Sequence, residues 1–407
     1  MRLLLLMAVL LGLDLYVFQA FRLLSSNWSS TARWVLYGAY WLIPVVLVIC
    51  LLLVSSGQVI DWNKPFNSFL RAFLFIAYLS KFVIGGVLLI DDIRRLLFAG
   101  YQNIAGSGTP VDAGRSKFLT QFGVLLGSIP FISLTYGILR NPYRYQLFSK
   151  KVSIPNLPES LRGLKVIQIS DIHSGSFTLK EPIRRAIEMI NGERPDLVFF
   201  TGDLVNNEAR EMEPYLDVFD KIEAKYGVYS VLGNHDYGDY IRWESREAKL
   251  ENMERLYATH KRLGWQLLRN ENRMVEVNGQ QVAVLGVENY SAHPRFPKYG
   301  DLARASEGTE GAALKLLLSH DPTHWEDQVV KEFRDVAVTF SGHTHGMQFG
   351  VEIPGWFKWS PIQYIYKQWA GLYEREGQYL YVNRGFGFLG YPGRVGILPE
   401  ITVMELV

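Results

Sequence analysis

Four apolar runs, each about as long as the 20 or so residues a bilayer-crossing helix needs, occupy positions 3–23, 35–54, 69–90 and 118–139. In lipid, every backbone N–H and C=O must find its partner within the segment or in a closed barrel. Uninterrupted apolarity, rather than alternation, selects helices for this part of the chain. Trp28, Trp34, Trp41 and Trp62 lie at or near the ends of the first three runs, where interfacial anchors sit. A cleaved leader does not suit the first run. The segment Tyr16-Val17-Phe18-Gln19-Ala20-Phe21 offers no small-x-small site, and further apolar runs follow. A soluble helical bundle would need polar faces that these runs lack. Two ionisable residues interrupt them, and a charge inside a span is costly and often functional. Asp14 has no evident partner, and Lys81 either faces a helix interface or shifts the register of its span. A substrate contact is the competing reading for both.

The rest of the chain is of ordinary polarity. With 42 basic and 40 acidic residues the net charge is +2, and no long basic run appears. That disfavours a general polyanion binder and nucleic acid as a partner. Cys50, the only cysteine, lies in the second apolar run, so no disulfide within the chain forms and cysteine usage does not report the redox compartment. Residues 1–140 read as a four-span transmembrane domain and 141–407 as a catalytic domain. Residues 106–110 are the clearest flexible stretch between spans. An alternating segment at 145–154, ended by Pro155 and Pro158, reads as an edge strand. Helices are expected at 180–191, 214–225 and 240–263, then short strands at 265–269, 273–277 and 281–286. That order fits a mixed sheet flanked by helices.

Five short clusters carry the chemistry: Asp171 with His173, Gly202-Asp203, Gly233-Asn234-His235-Asp236, Ser319-His320, and Gly342-His343-Thr344-His345. Each follows a strand-like apolar run, so the clusters are delivered to a common rim. Taken singly, each has a plain reading as a turn or capping residue. Taken together, carboxylates, imidazoles and one amide oxygen are a ligand set for two divalent ions. Such a pair, about 3.5–4 Å apart, clamps the attacking and leaving oxygens of a phosphate ester.

The order D-x-H, GD, GNHD, SH and GHTH resembles the calcineurin-like metallophosphoesterases, over roughly residues 164–407. The likeness extends to small bacterial phosphodiesterases, with Asn383-Arg384-Gly385-Phe386-Gly387 and Pro399-Glu400-Ile401 as further matches, and UDP-2,3-diacylglucosamine pyrophosphatase-like enzymes are similar to the chain. Met347 departs from the pattern, which has glycine there, and bears on loop shape only. The resemblance implies a four-layer α/β/β/α sandwich behind the all-α four-helix transmembrane region. It implies one ion on Asp171, His173, Asp203 and His345, and a second on Asp203, Asn234, His320 and His343. The metals are Mn, Fe, Zn or Mg, which O/N ligands do not distinguish. Metal-activated hydroxide would attack phosphorus, and His235, paired with Asp236, would protonate the leaving oxygen.

Softer candidates remain. His324 is a further ligand or a surface residue at a helix start, and Arg384 reaches a substrate phosphate or pairs with a carboxylate. Residues 353–373, with Trp356, Phe357, Trp359, Tyr364, Tyr366, Trp369 and Tyr373, form an aromatic flap on the sandwich or a surface for the bilayer. The expected function is a membrane-anchored phosphodiesterase or pyrophosphatase with a phosphate-ester substrate, lipid-linked given the spans. Alternatives are a phosphodiesterase for soluble or cyclic nucleotides and an inert metal-bound signalling module. The expected location is a bacterial inner membrane. Basic residues nearly tie across it, and the compact set after the fourth span places the catalytic domain in the cytoplasm.

Overall fold

A computed structural model describes residues 2–55, 64–105, 116–353 and 355–407. Trp62 and the stretch 106–110 lie outside the described residues. The chain divides into two compact units, Met1–Tyr136 and Gly137–Val407.

The first unit is helical: α1 (Arg2–Leu24), α2 (Ser30–Ser55), α3 (Lys64–Ala105) and α4 (Lys117–Arg140), whose last turn belongs to the second unit. Each helix contains a segment long and apolar enough to cross a membrane: Leu3–Leu24, Ser30–Leu53, Phe66–Gln102 and Lys117–Arg140. Their outer faces expose Leu4, Trp34, Phe75, Phe82 and Leu97, which water would not tolerate in such density and lipid does. A small core of Val17, Ala20, Tyr40, Ile84 and Leu88 holds the helices together. Here the sequence reading of Asp14 is corrected. The Lys81 ammonium donates to its carboxylate at 2.5 Å, and the Tyr78 hydroxyl at 2.8 Å. Tyr40 donates to the Asp14 carbonyl at 2.7 Å, and its ring lies 4.4 Å from the ammonium. Sixty-seven positions separate the two charges, so the pair leaves no local signature.

The second unit is built on two six-stranded sheets. One contains β1 (Gln146–Val152), β2 (Lys165–Ile169), β3 (Leu197–Phe200), β4 (Val228–Ser230), β5 (Gln266–Leu267) and, last in the chain, Glu400–Leu406. The other contains β6 (Glu271–Val277), β7 (Gln280–Gly286), β8 (Leu314–Leu318), β9 (Val338–Ser341), and the strands Gly371–Arg375 and Gln378–Val382. Between β9 and Gly371 the chain makes a separate two-stranded hairpin, β10 (Val351–Ile353) and β11 (Phe357–Trp359), which makes the later strands β12, β13 and β14. The orders are β1-β14-β2-β3-β4-β5 and β12-β13-β9-β8-β7-β6, with β2 to β5 parallel and β7, β8, β9 and β13 parallel. The predicted edge strand is β1, which pairs only with β14.

Alternation along each strand assigns its faces. Phe199 turns inward and meets Phe340 of the facing sheet edge-on at 5.0 Å, while Phe200 turns outward onto Trp265. Val166, Leu197, Val284, Leu316 and Met404 fill the space between the sheets. Outside the first sheet, α5 (Glu181–Gly192) buries Ile183, Ala186, Ile187 and Ile190 against Ile167, Ile169 and Val198. Outside the second, Leu302, Trp325 and Val329 cover Ala283, Leu285 and Leu317. The layers are α/β/β/α.

Two helices differ from expectation. The one predicted at 214–225 shrinks to α6 (Leu216–Phe219), after a tighter turn over Ala209–Tyr215. The one predicted at 240–263 begins later, as α7 (Arg246–Arg262), because the Ser245 hydroxyl caps it by accepting from Ala248 N–H. The late start leaves Tyr240 on a loop beside the metal-type residues.

Candidate metal centre

The parallel strands β2, β3 and β4 of one sheet and β8 and β9 of the other end on the same rim. There the backbone takes conformations that L-residues rarely adopt. Asp171, His173, Asp203, His343 and His345 all have positive φ, between 48° and 72°. Each such residue costs of order 1–3 kcal/mol and persists only where the surrounding structure over-determines it. From His345 to Gln348 four successive residues are left-handed, Met347 among them, so the residue that departs from the family pattern carries strain glycine would not. A side chain at Gly342 would strike the Asp171 carboxylate, and one at Gly233 the Asp203 carboxylate.

These turns bring all seven expected ligands together. On one side His173 Nε2 lies 3.0 Å from His345 Nε2, which is 3.2 Å from Asp171 Oδ1, and Asp203 Oδ2 is 3.5 Å from His173 Nε2. On the other, Asp203 Oδ2 lies 3.2 Å from His320 Nε2, which is 3.3 Å from His343 Nδ1, itself 2.8 Å from Asn234 Oδ1. Atoms bound to one ion at about 2.0–2.2 Å sit roughly 3–3.5 Å from each other, so both groups are spaced as ligand shells. The donor chemistry fits divalent cations too, because imidazole nitrogens pointing at one another and at carboxylates want a shared positive centre.

Protonation supports the same role. Burial pushes Asp171 and Asp203 up, but His345 beside the first and His320 beside the second outweigh it, holding both below the ordinary carboxylate range. Burial drives His173 down to about 3, leaving a neutral ligand, and also lowers His343. For His320, burial is outweighed by the Asp203 carboxylate, and the group rises to about 10. A cation seated there takes the place of that proton.

Neighbouring side chains orient the ligands. Asn234 donates its amide N–H to the Tyr240 hydroxyl at 2.7 Å, which turns its oxygen toward His343. His320 Nδ1 meets the Thr201 carbonyl at 2.7 Å. His343 Nε2 meets the Tyr366 hydroxyl at 2.8 Å and Asp321 Oδ2 at 3.5 Å. Tyr240 and Asp321 were not among the candidates of the sequence reading, and Tyr366 entered it only as part of the aromatic stretch, not as a partner of His343. Asp321 was within reach of it, adjoining His320; the tyrosines carry no motif.

The expected pairing of Asp236 with His235 is corrected. The Asp236 carboxylate is buried and accepts from the backbone N–H groups of Gly233, Asp203, Leu204 and Val205, at 2.8–3.3 Å. Its oxygens are consumed in tying two ligand loops together. His235 instead sets its Nδ1 on the Asn206 carbonyl at 2.9 Å, and its ring lies in the cleft against Tyr240.

His324 is neither a ligand nor a surface residue. It is buried between Ser319 Oγ and Gln328 Oε1 and stacks on Tyr290 at 4.0 Å. Arg384 is spoken for by Glu352 and Glu400, each at 2.6 Å, so pairing and not substrate uses its fork. The aromatic stretch divides: Tyr366 and Trp369 are buried with Ile397, whereas Trp356, Phe357 and Tyr364 are exposed. Above the ligands opens a cleft of about 670 Å³. His235, Tyr240 and Tyr366 stand around it, His293, Arg295 and Phe296 form one lip, and Ile362, Ile365 and Leu389 an apolar wall.

Strand-end carboxylates and imidazoles gathered between two sheets, behind four bilayer-length helices, define a membrane-associated metal-dependent phosphoesterase class. Residues 164–347 match the family "Calcineurin-like phosphoesterase", and residues 1–142 match "Probable Calcineurin-like phosphoesterase, transmembrane domain". The chain carries a calcineurin-like metallophosphoesterase domain behind a four-helix transmembrane domain of the calcineurin-like phosphoesterase type. It is 28% identical over 292 residues to the zebrafish (Danio rerio) "Transmembrane protein with metallophosphoesterase domain", covering 70% of this chain and 62% of that protein. It is 28% identical over 299 residues to Bacillus subtilis "Uncharacterized metallophosphoesterase YkuE", covering 72% and 97%. A Helicobacter pylori "Uncharacterized metallophosphoesterase" is 24% identical over 397 residues, covering 90% and 98%.

Proposed function

We propose that the chain is a membrane-anchored dinuclear-metal hydrolase that cleaves a phosphodiester or diphosphate in a lipid-linked substrate, with its catalytic unit on the cytoplasmic side of a bacterial inner membrane. The observation that carries the reading is the gathering of buried carboxylates and imidazoles at the cleft: Asp171 with His173 and His345, Asp171 and Asp203 with His320, and Asp203 3.5 Å from His173 as well. Asp171, His173, Asp203 and His345 would hold one divalent ion, and Asp203, Asn234, His320 and His343 would hold the other. Ions so held would supply Lewis-acid charge to a phosphoryl oxygen and would make water acidic enough to serve as nucleophile near neutral pH.

The chain's own groups do the rest. His235 donates its Nδ1–H to Asn206, which leaves Nε2 for the cleft and suits an imidazolium that protonates the leaving oxygen. Asp236 acts indirectly, by fixing the loops that present Asp203 and Asn234. Arg295 lies on the lip, close enough to Tyr240 and Tyr366 for its charge to act on both hydroxyls, and meets an anionic group beyond the scissile phosphate. Ile362, Ile365 and Leu389 offer an apolar wall, which a nucleotide does not need and an acyl chain does.

The test is turnover by the purified full-length protein in lipid nanodiscs, with and without Mn²⁺, on a lipid-linked diphosphate, a lipid phosphodiester, a cyclic nucleotide and an aryl phosphodiester. Metal-dependent cleavage with highest kcat/KM on a lipid-linked substrate is expected. Preference for the cyclic nucleotide would replace the substrate class. Loading with metal but no turnover of any compound would leave the inert signalling module.

A further inference from the structure

In the hairpin β10–β11 the usual pattern of a water-facing ribbon is reversed. Its register sets Val351 opposite Trp359, Glu352 opposite Lys358, and Ile353 opposite Phe357. The charged pair faces the body of the unit. Glu352 accepts from the Arg384 guanidinium at 2.6 and 2.9 Å, and the Lys358 ammonium donates to the Ala370 carbonyl at 2.5 Å and lies over the Tyr373 ring. Because successive side chains of a strand alternate, Val351, Ile353, Phe357 and Trp359 share the opposite face. Val351, Ile353 and Phe357 are 48%, 44% and 50% exposed, and Trp356, next to β11, is 83% exposed. Charges inward and apolar side chains outward is the arrangement for a face that does not end in water. Met347, Phe349, Tyr364 and Ile365 extend the same exposed apolar surface, and Ile365 continues it into the cleft wall.

The root of the hairpin ties it to the place where the chain leaves its last span. Within the second unit, Gly137 accepts at its carbonyl from Arg394 N–H at 3.1 Å, and the Asn141 amide donates to the Arg394 carbonyl at 2.8 Å. The next residue, Val395, bonds to Gln348 and Gly350 at 2.8 and 2.9 Å and bridges to Phe349, immediately before β10. Exposed Trp and Tyr with a nearby exposed lysine, Lys367, are what the headgroup region of a bilayer accommodates.

We propose that this hairpin is a membrane-inserting device whose partner is the lipid bilayer itself, with Val351, Ile353, Trp356 and Phe357 entering the boundary between headgroups and acyl chains. It holds the second unit against the surface at a second point, beyond the covalent tether. The contact exists whether or not the site hydrolyses a lipid, so it stands apart from the substrate reading.

Full-length protein with Cys50→Ser, carrying Trp356→Cys or, as a control on an exposed turn, Glu307→Cys, is spin-labelled in nanodiscs of phosphatidylcholine and phosphatidylglycerol. The position-356 label is expected to collide more with lipid-soluble oxygen than with an aqueous nickel chelate, and the position-307 label the reverse. Equal water access at both positions overturns the proposal, as does a position-356 label shielded from both quenchers, which would place a protein or a second copy of the chain on the hairpin. A double variant, Trp356→Ser with Phe357→Ser, should release the second unit from the surface, read as gained nickel accessibility at a label on Tyr364→Cys. No gain there overturns it as well. None of these readouts requires turnover, so failure of the substrate panel leaves them interpretable.

Discussion

Asp203 comes within reach of both groups of candidate ligands, 3.5 Å from His173 and 3.2 Å from His320. Asp203→Asn therefore removes charge from both shells at once. Metal analysis of the purified variant should show loss of bound ions, and hydrolysis should vanish; two ions retained with full activity would sink the bridging role. His235 stands in the cleft without joining either shell, so His235→Ala should keep its metal. Loss of a general acid is worth about 10²–10⁴-fold on esters with poor leaving groups. Activated aryl esters need little protonation and should lose far less. Equal losses on both would reduce His235 to a hydrogen bond on the phosphoryl group. At this scale the candidate ligands were legible as residues the fold would gather, because they come in short motifs behind apolar strands. Their supports were not. Tyr366 meets His343 from 23 positions away, and Asp236 spends its carboxylate on backbone N–H groups that no side-chain pattern announces.

Elements were legible where a face repeats and illegible where a distant partner decides. Helix α5 followed from its spacing of Ile183, Ala186, Ile187 and Ile190, whereas α1 and α3 gave no hint that Asp14 and Lys81 meet between them. Removing one partner of a buried pair costs about 3–5 kcal/mol, because the other charge stays buried alone, whereas replacing both with apolar residues is often neutral. Asp14→Leu or Lys81→Leu alone should lower the unfolding temperature of the protein in detergent, and the double variant should recover most of the loss. If the double variant is as unstable as the singles, the pair does more than neutralise itself. In α7, burial drives His260 down to about 3, with Nδ1 on the Ser230 hydroxyl. Its folded value is depressed, so below its unfolded pKa near 6.5 the unfolded state binds the extra proton. Stability then falls by about 1.4 kcal/mol per pH unit toward the folded value. His260→Leu should flatten the slope of stability between pH 6.5 and 5 by that amount, whatever it does to stability at pH 8. An unchanged slope would mean that His260 titrates alike in both states.

For the whole molecule, the order of parts was readable from the sequence: four apolar runs, then strands alternating with helices. Which side of the membrane the second part occupies turns on a narrow margin of charge. Four spans return the chain to the side from which it started. Arg2, Lys64, Arg140, Arg144, Lys150 and Lys151 fall on that side, and Arg22, Arg33, Arg94, Arg95, Arg115 and Lys117 on the other. The numbers do not decide, but the settings differ. Arg94 and Arg95 are paired with Asp91 and Asp92, whereas Arg140, the last residue of α4, and Arg144 and Lys150, shortly beyond it, are exposed. Exposed juxtamembrane cations are drawn to an anionic cytoplasmic leaflet by about 1 kcal/mol each, and paired ones contribute less to that attraction. The second unit should therefore lie in the cytoplasm. A green fluorescent protein fused after Val407 should fluoresce, and alkaline phosphatase fused there should be inactive. Changing Arg140, Arg144 and Lys150 to Glu should shift part of the population to the reverse orientation. An active phosphatase fusion on the unaltered chain would put the catalytic unit, and the substrate it meets, on the outer side.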